Sequence, residues 1–149
     1  MKAIIVYASV HHGNTRKVAE AIAAACGVEL LDAMAVKEKD LSGYDLIGFA
    51  SGIYAARFHQ AVMDFARDNL PPDKKIFYLM TSAMNRDFSK SMDSIVRGKN
   101  ATVVGRFSCS GYNTFGPFKL IGGTSKGHPD EQDLKNAVQF YKEIAGINV

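Results

Sequence analysis

Apolar residues along this chain follow two regimes: short unbroken runs, and longer stretches where they recur every three or four positions. Residues 2 to 8 form the first run, Lys2-Ala3-Ile4-Ile5-Val6-Tyr7-Ala8, which is β-rich and almost continuously apolar, as a strand covered on both faces requires. From Thr15 the pattern changes. Val18, Ala19, Ile22, Ala23 and Cys26 recur at helical spacing, and Gly27 is placed to end the helix. Val28 to Leu31 predict a short second strand, Tyr44 to Ala50 a third, Lys75 to Thr81 a fourth and Ala101 to Cys109 a fifth. A helix bearing Val62, Phe65, Ala66 and Leu70 is stopped by Pro71-Pro72. Another, with Met92, Ile95 and Val96, leads to Gly98. The last opens near Pro129-Asp130, where Asp130, Glu131 and Asp133 complement the helix dipole and Leu134, Val138, Tyr141 and Ile144 face inward. The remaining segments read as loops: 9–15, the charged crossover Lys37 to Asp40, 51–58, 82–87, and the longest, Ser110 to Pro129.

Strands alternating with helices in this way predict right-handed crossovers and a doubly wound α/β fold, a parallel sheet with helices on both faces. No internal repeat or linker interrupts the pattern, so residues 1–149 are expected to form one domain. In such sheets ligands bind beyond the carboxyl ends of the strands. The loops after strands one, three, four and five are expected to meet there.

Charge and composition narrow the function classes. The formal net charge is +3, but Lys and Arg are spread along the chain, which is the distribution of a solvated surface and not of a nucleic-acid interface. No segment approaches the roughly 20 apolar residues of a membrane span, and the apolar start is too short for a signal peptide. Cys26 and Cys109 form no CxxC pattern, so reduced thiols and a cytoplasmic setting are the expectation.

The chemistry concentrates in Ser9-Val10-His11-His12-Gly13-Asn14-Thr15. A hydroxyl-rich loop with a Gly, between a buried strand and a helix N-terminus, offers a phosphate backbone N–H donors and the positive end of a helix dipole. The loop contains no Lys or Arg, so hydroxyls and amides would do the holding. Ser9, Asn14 and Thr15 equally suit helix caps. The adjacent His11 and His12 lack the spaced partners of a metal site. Thr124-Ser125-Lys126-Gly127 lacks the order of a nucleotide loop and reads as a surface turn. Cys109 reads as a buried small hydrophobe, and His59 and His128 as surface or helix-end residues.

The stretch Tyr7 to Ile22, with Gly13-Asn14-Thr15 followed by Ala19 and Ile22, resembles the flavodoxin signature, and the resemblance in architecture runs the length of the chain. Between Ser9 and Gly13 this chain is one residue longer than the common pattern and has histidines where Thr is usual. The resemblance implies a flavodoxin-like five-stranded parallel sheet of order 2-1-3-4-5. It implies noncovalent FMN, with the phosphate on Ser9, His11, His12, Gly13, Asn14 and Thr15. The flavin ring would lie between the loop after strand three, with Ser51, Gly52 and Tyr54, and the loop after strand four, with Ser82, Ala83 and Met84. Tyr54 matches one flanking aromatic residue by position. Met84, Tyr112 or Phe115 would supply the other flank. Many members place a Gly in the loop after strand three, where a peptide flips towards the reduced flavin; here the corresponding positions are Ala55-Ala56.

Two functions follow as expectations. One is a soluble electron-transfer carrier, its partners redox proteins or small-molecule electron donors and acceptors. The other is an FMN-dependent NAD(P)H or quinone oxidoreductase. The long loop after strand five favours it, and Ser51 to His59 resembles the corresponding stretch of menaquinone-dependent protoporphyrinogen oxidases. A phosphoacceptor signalling domain on the same topology is excluded by Ser9 and Ala50-Ser51, where acidic residues would be needed.

Overall fold

A computed structural model describes residues 1–10, 13–83, 86–111 and 127–147. The first apolar run forms β1 (Ala3–Ala8), with all six residues buried. Side chains alternate across a strand. Ile4, Val6 and Ala8 therefore enter one core, and Ala3, Ile5 and Tyr7 enter the other. α1 (Asn14–Cys26) buries Val18, Ala19 and Ile22 and ends at Gly27, whose N–H bonds the Ala23 carbonyl at 2.9 Å. β2 (Glu29–Asp32) pairs in parallel with β1. The crossover from 33 to 45 carries no helix but is anchored by buried Leu41 and Tyr44, and the Tyr44 hydroxyl donates to Glu29 at 2.6 Å.

The next elements are β3 (Leu46–Tyr54), β4 (Arg57–Phe58), α2 (Gln60–Asn69), β5 (Lys75–Ser82), a 3-10 turn (Ser89–Met92) running into α3 (Asp93–Gly98), β6 (Thr102–Ser110) and α4 (Glu131–Ile144). The parallel sheet has the order β2-β1-β3-β5-β6, and β4 lies antiparallel on β3. The five parallel strands thus keep the expected 2-1-3-4-5 order, β5 and β6 being the fourth and fifth strands counted from sequence. α2 and α3 close the core that contains Phe49, Phe65 and Tyr78. α1 and α4 close the other, where the Phe77 ring meets Tyr141 edge-on at 5.7 Å and Phe140 at 6.2 Å. Burying each such ring contributes roughly 1.5–3 kcal/mol.

The segment 51–58, expected to be a loop, is a hairpin. β3 continues through Tyr54, the chain turns at Ala55 and Ala56, and Tyr54 pairs with Arg57. Both alanines have positive φ, 51° and 63°. Two-residue hairpins of this form favour Asn and Gly at those positions, so Ala-Ala gives no turn signal. Packing fixes the turn instead: Phe58 is buried, its N–H bonds the Ser91 hydroxyl at 3.1 Å, and its ring meets Tyr78 edge-on at 5.5 Å.

α4 begins at a reciprocal cap in which the Asp130 side chain accepts from the Asp133 N–H and the Asp133 side chain accepts from the Asp130 N–H. His128 Nδ1 joins it at 2.6 Å from Asp133. His128, Asp130 and Asp133 are thus grouped by helix capping. Hydrogen bonding to Asp133 raises the His128 pKa above 6.5. Partial burial pushes the Asp133 carboxyl up, but the Asp130 amide and His128 outweigh it and hold it below 3.8.

Replacing Ala56 by Gly removes a left-handed strain of about 1–2 kcal/mol while freeing the unfolded chain by about 0.4–1 kcal/mol. Urea unfolding is expected to show a gain of between about 0 and 1.6 kcal/mol; a loss would mean that the turn is not strained. The His128 contribution is complete below its unfolded-state pKa and lost as pH rises through the higher folded-state value, whereas that of Asp133 is complete above its unfolded-state pKa and lost as pH falls through the lower one. The Tm difference between wild type and His128→Gln is therefore expected to be greatest between about pH 4 and 6.5 and to shrink as pH rises beyond that window. A difference that is flat from pH 5 to 9 would contradict the pairing.

Candidate functional site

The carboxyl ends of β1, β3 and β5, the residue after β6 and the first turn of α1 surround one open recess. Its walls are Ser9, Val10, Asn14, Thr15, Gly52, Ile53, Tyr54, Thr81, Ser82, Ala83 and Gly111. None of these carries a formal charge. Hydroxyls, amides and backbone provide the polar surface.

Each wall is held by a specific local interaction. Gly13 adopts positive φ at the N-cap of α1, and its N–H closes a turn on the Val10 carbonyl at 3.2 Å. Gly13 has no side chain to cap the helix. The Ser9 hydroxyl does so instead, accepting the Arg16 N–H at 3.1 Å while its own O–H remains a donor. Thr15 is buried beside Thr81, with the two hydroxyls 2.8 Å apart, which joins the first turn of α1 to the end of β5. The Gly111 N–H bonds the Ser82 carbonyl at 3.0 Å. Buried Asn14 packs so closely on Gly111 that a Cβ there would lie 2.7 Å from its side-chain nitrogen. The Ser82 hydroxyl is buried without a hydrogen-bond partner among the described residues.

Tyr54 folds back over Gly52, its hydroxyl 2.9 Å from where a Cβ on Gly52 would stand. Its ring meets His59 edge-on at 5.4 Å. Burial raises the phenol pKa, and a hydrogen bond with the Val10 backbone lowers it by less, so Tyr54 enters neutral solution protonated.

The recess therefore brings together Ser9, Asn14, Thr15, Gly52, Tyr54, Ser82 and Ala83, while Gly13 shapes the loop behind it. Ser51 does not reach the wall. Its hydroxyl is turned into the hairpin, accepting the His59 N–H at 2.8 Å and donating to the Gly52 carbonyl. His59 caps α2, its Nδ1 accepting the Ala61 N–H at 3.0 Å. His11, His12, Met84, Tyr112 and Phe115 lie outside the described residues. Val10, Ile53, Thr81 and Gly111 were not singled out from the sequence. Thr81-Ser82, a hydroxyl pair at a strand's carboxyl end, was the available signal for one of them. Cys109 is buried, and its thiol is pushed up to about 12 by burial first and by Asp133 and Asp130 next, which leaves it unreactive.

Comparison with known proteins places the chain in a family. A flavodoxin domain model matches residues 4–113, which include every described wall of the recess. An uncharacterized protein of Methanocaldococcus jannaschii is 38% identical over 147 residues, covering 97% of this chain and 98% of its own. Among solved structures, a flavodoxin from the domain Archaea aligns with a TM-score of 0.69 at 21% identity, over 98% of this chain and 97% of that one. Oxidised flavodoxin 2 from Bacillus cereus aligns with a TM-score of 0.69 at 19% identity, over 98% and 99%. At those identities the two structures establish the fold.

The two wall glycines are expected to differ in tolerance. Gly111→Ala forces a methyl into a short, buried Asn14 and should cost about 1–3 kcal/mol, the usual range for overpacking. Gly52→Ala meets only the far end of the Tyr54 side chain and should cost less than half as much. Urea unfolding of the two variants measures this, and equal costs would refute the tight Asn14–Gly111 contact.

Proposed function

We propose, for a chain that belongs to the flavodoxin family, that the recess binds FMN and that the protein is an electron-transfer carrier. The observation that carries this reading is the wall itself. Neutral donors from four strand ends and a helix start converge there, and the buried Ser82 hydroxyl has no hydrogen-bond partner among the described residues. An unsatisfied buried hydroxyl costs about 1–3 kcal/mol, which a ligand's polar atom would offset. The residues present fit a phosphorylated flavin.

Ser9, Asn14 and Thr15 would hold the phosphate, together with the α1 amides, whose first members have no intrahelical acceptor. His11 and His12 belong to the same loop and would add donors. Gly52 and Tyr54 on one side, and Ser82, Ala83 and Met84 on the other, would bracket the ring, with Tyr112 a further candidate from the segment after β6. Bound FMN would supply one- and two-electron transfer through that ring. Tyr54, fixed between Gly52 and His59, would present an electron-rich face, which disfavours added negative charge on a stacked ring. The bond between Thr15 and Thr81 keeps the phosphate side of the recess rigid relative to the sheet. Such a carrier would act in the cytoplasm with redox proteins or small-molecule donors and acceptors.

One observation favours a second reading, an FMN-dependent oxidoreductase acting on NAD(P)H or a quinone, protoporphyrinogen-oxidase-like activity included. A hollow lined by Val10, Tyr54, Phe58 and Met63, with Arg57, His59 and Gln60 beside them, adjoins the recess and offers room for a substrate.

The purified protein is expected to release FMN on denaturation. Thr15→Ala should weaken FMN binding roughly tenfold, from the loss of ~1.5 kcal/mol of hydrogen bonding. His59→Ala should leave it within about twofold. Equal affinities would remove the recess from the account, and a protein that cannot be reconstituted with FMN would end both readings. Fast turnover with NAD(P)H and a quinone would select the enzyme over the carrier.

A further inference from the structure

Beyond the hairpin the surface carries a second concavity, between α2 and α3. Arg57, Arg67 and Lys99 line it together with the hydroxyls of Ser91 and Ser94, and no carboxylate lines it among the described residues. The cations have capacity to spare. The Arg57 guanidinium donates to the Met63 sulfur at 3.9 Å, and a thioether is a weak acceptor. Arg67 pairs with Asp64 at 2.9 Å, but the pair is exposed on both sides, so it holds the guanidinium only weakly. A planar guanidinium carries five N–H donors in a fork that suits carboxylate, sulfonate or phosphate oxygens.

This basic concavity is not isolated. It shares Arg57 and Met63 with the apolar hollow beside Tyr54, and that hollow shares Val10 and Tyr54 with the candidate flavin recess. The polarity therefore changes in sequence along one surface: neutral and polar at the strand ends, apolar and aromatic at Tyr54, Phe58 and Met63, cationic at Arg57, Arg67 and Lys99. Small-molecule sites have this composition, concave and mostly apolar with a few placed polar groups.

We propose that the hollow and the basic concavity together form one binding site for a small, ring-bearing anion. Its apolar ring lies against Tyr54 and Met63, and its acidic group is held by Arg57, Arg67 and Lys99. The site lies next to the candidate flavin recess, on the wall provided by Tyr54. A role for the anion as electron donor or acceptor rests on the FMN reading; the binding site itself does not.

The test uses naphthalene-2-sulfonate, which is redox-inert, titrated into the 15N-labelled protein both as purified and after any bound flavin has been removed. Saturable binding is expected in both forms, with the largest shifts at Tyr54, Arg57, Met63 and Lys99. Arg57→Gln and Lys99→Gln, at exposed and half-buried surface positions, are each expected to weaken it about tenfold, the scale of a lost charge-assisted hydrogen bond. Methanesulfonate, which lacks the ring, and 2-naphthalenemethanol, which lacks the charge, should each bind at least about tenfold more weakly. Lack of saturable binding, indifference to both substitutions, or equal binding of either truncated probe would overturn the proposal. None of these results depends on whether the protein binds FMN, so the two readings fail separately.

Discussion

The hydroxyl pair of Thr15 and Thr81 joins the first turn of α1 to the carboxyl end of β5, above the core that Val18, Ala19 and Ile22 share with Phe77 and Leu79. α1 packs on one face of the sheet, and β5 lies two strands away from β1 in the sheet order, with β3 between them. A buried bond of 2.8 Å between their ends sets the position of the helix start relative to the strand ends. Asn14 pressed on Gly111 extends the same junction to the end of β6. Parallel strands buried on both faces send all their carboxyl ends to one edge. The recess lies at that edge, with Thr15 and Thr81 both among its walls.

Much of this was legible in the residues. Continuous apolar runs gave the parallel strands, because a strand covered on both faces has no reason to alternate. The Gly27 and Pro71-Pro72 stops gave helix ends that fall within a residue or two of those observed. The loop from Ser9 to Thr15 was expected at the carboxyl edge of the sheet, where its described residues lie. What the sequence hid was of two kinds. The hairpin at 51–58 was hidden because its turn is Ala55-Ala56, and its conformation is imposed by Phe58 burial and not by local preference. Thr81 and Gly111 were hidden because their role depends on neighbours 66 and 97 positions away, Thr15 and Asn14, which only strand order brings near.

Charge changes along this surface. Among the described residues no wall of the candidate flavin recess is formally charged, and these walls would meet an anion with amides and hydroxyls, which cost little to desolvate. Past the hairpin the second concavity is lined by the full charges of Arg57, Arg67 and Lys99. A buried cation would carry a desolvation penalty of several kcal/mol. Arg57 and Arg67 avoid it by staying exposed. The recess and the basic concavity thus differ in the donors they offer, and the hollow beside Tyr54 lies between them.

The hairpin is the divider between them, and this accounts for its strained turn. β3 must run on to Tyr54 for that ring to lie over Gly52, and the chain must reverse at once for Phe58 to enter the core. A longer loop would lower the local strain but would move Arg57 out of register with Tyr54. With two residues in the turn, the Tyr54–Arg57 pair is fixed, and with it the boundary between the aromatic and the cationic surface. The left-handed alanines cost about 1–2 kcal/mol each. Burying Phe58 returns roughly 1.5–3 kcal/mol, and its bond from N–H to Ser91 adds about 1 kcal/mol more. Tertiary packing thus holds a turn that local preference would not choose, and the position of Tyr54 and Arg57 follows from the core beneath them.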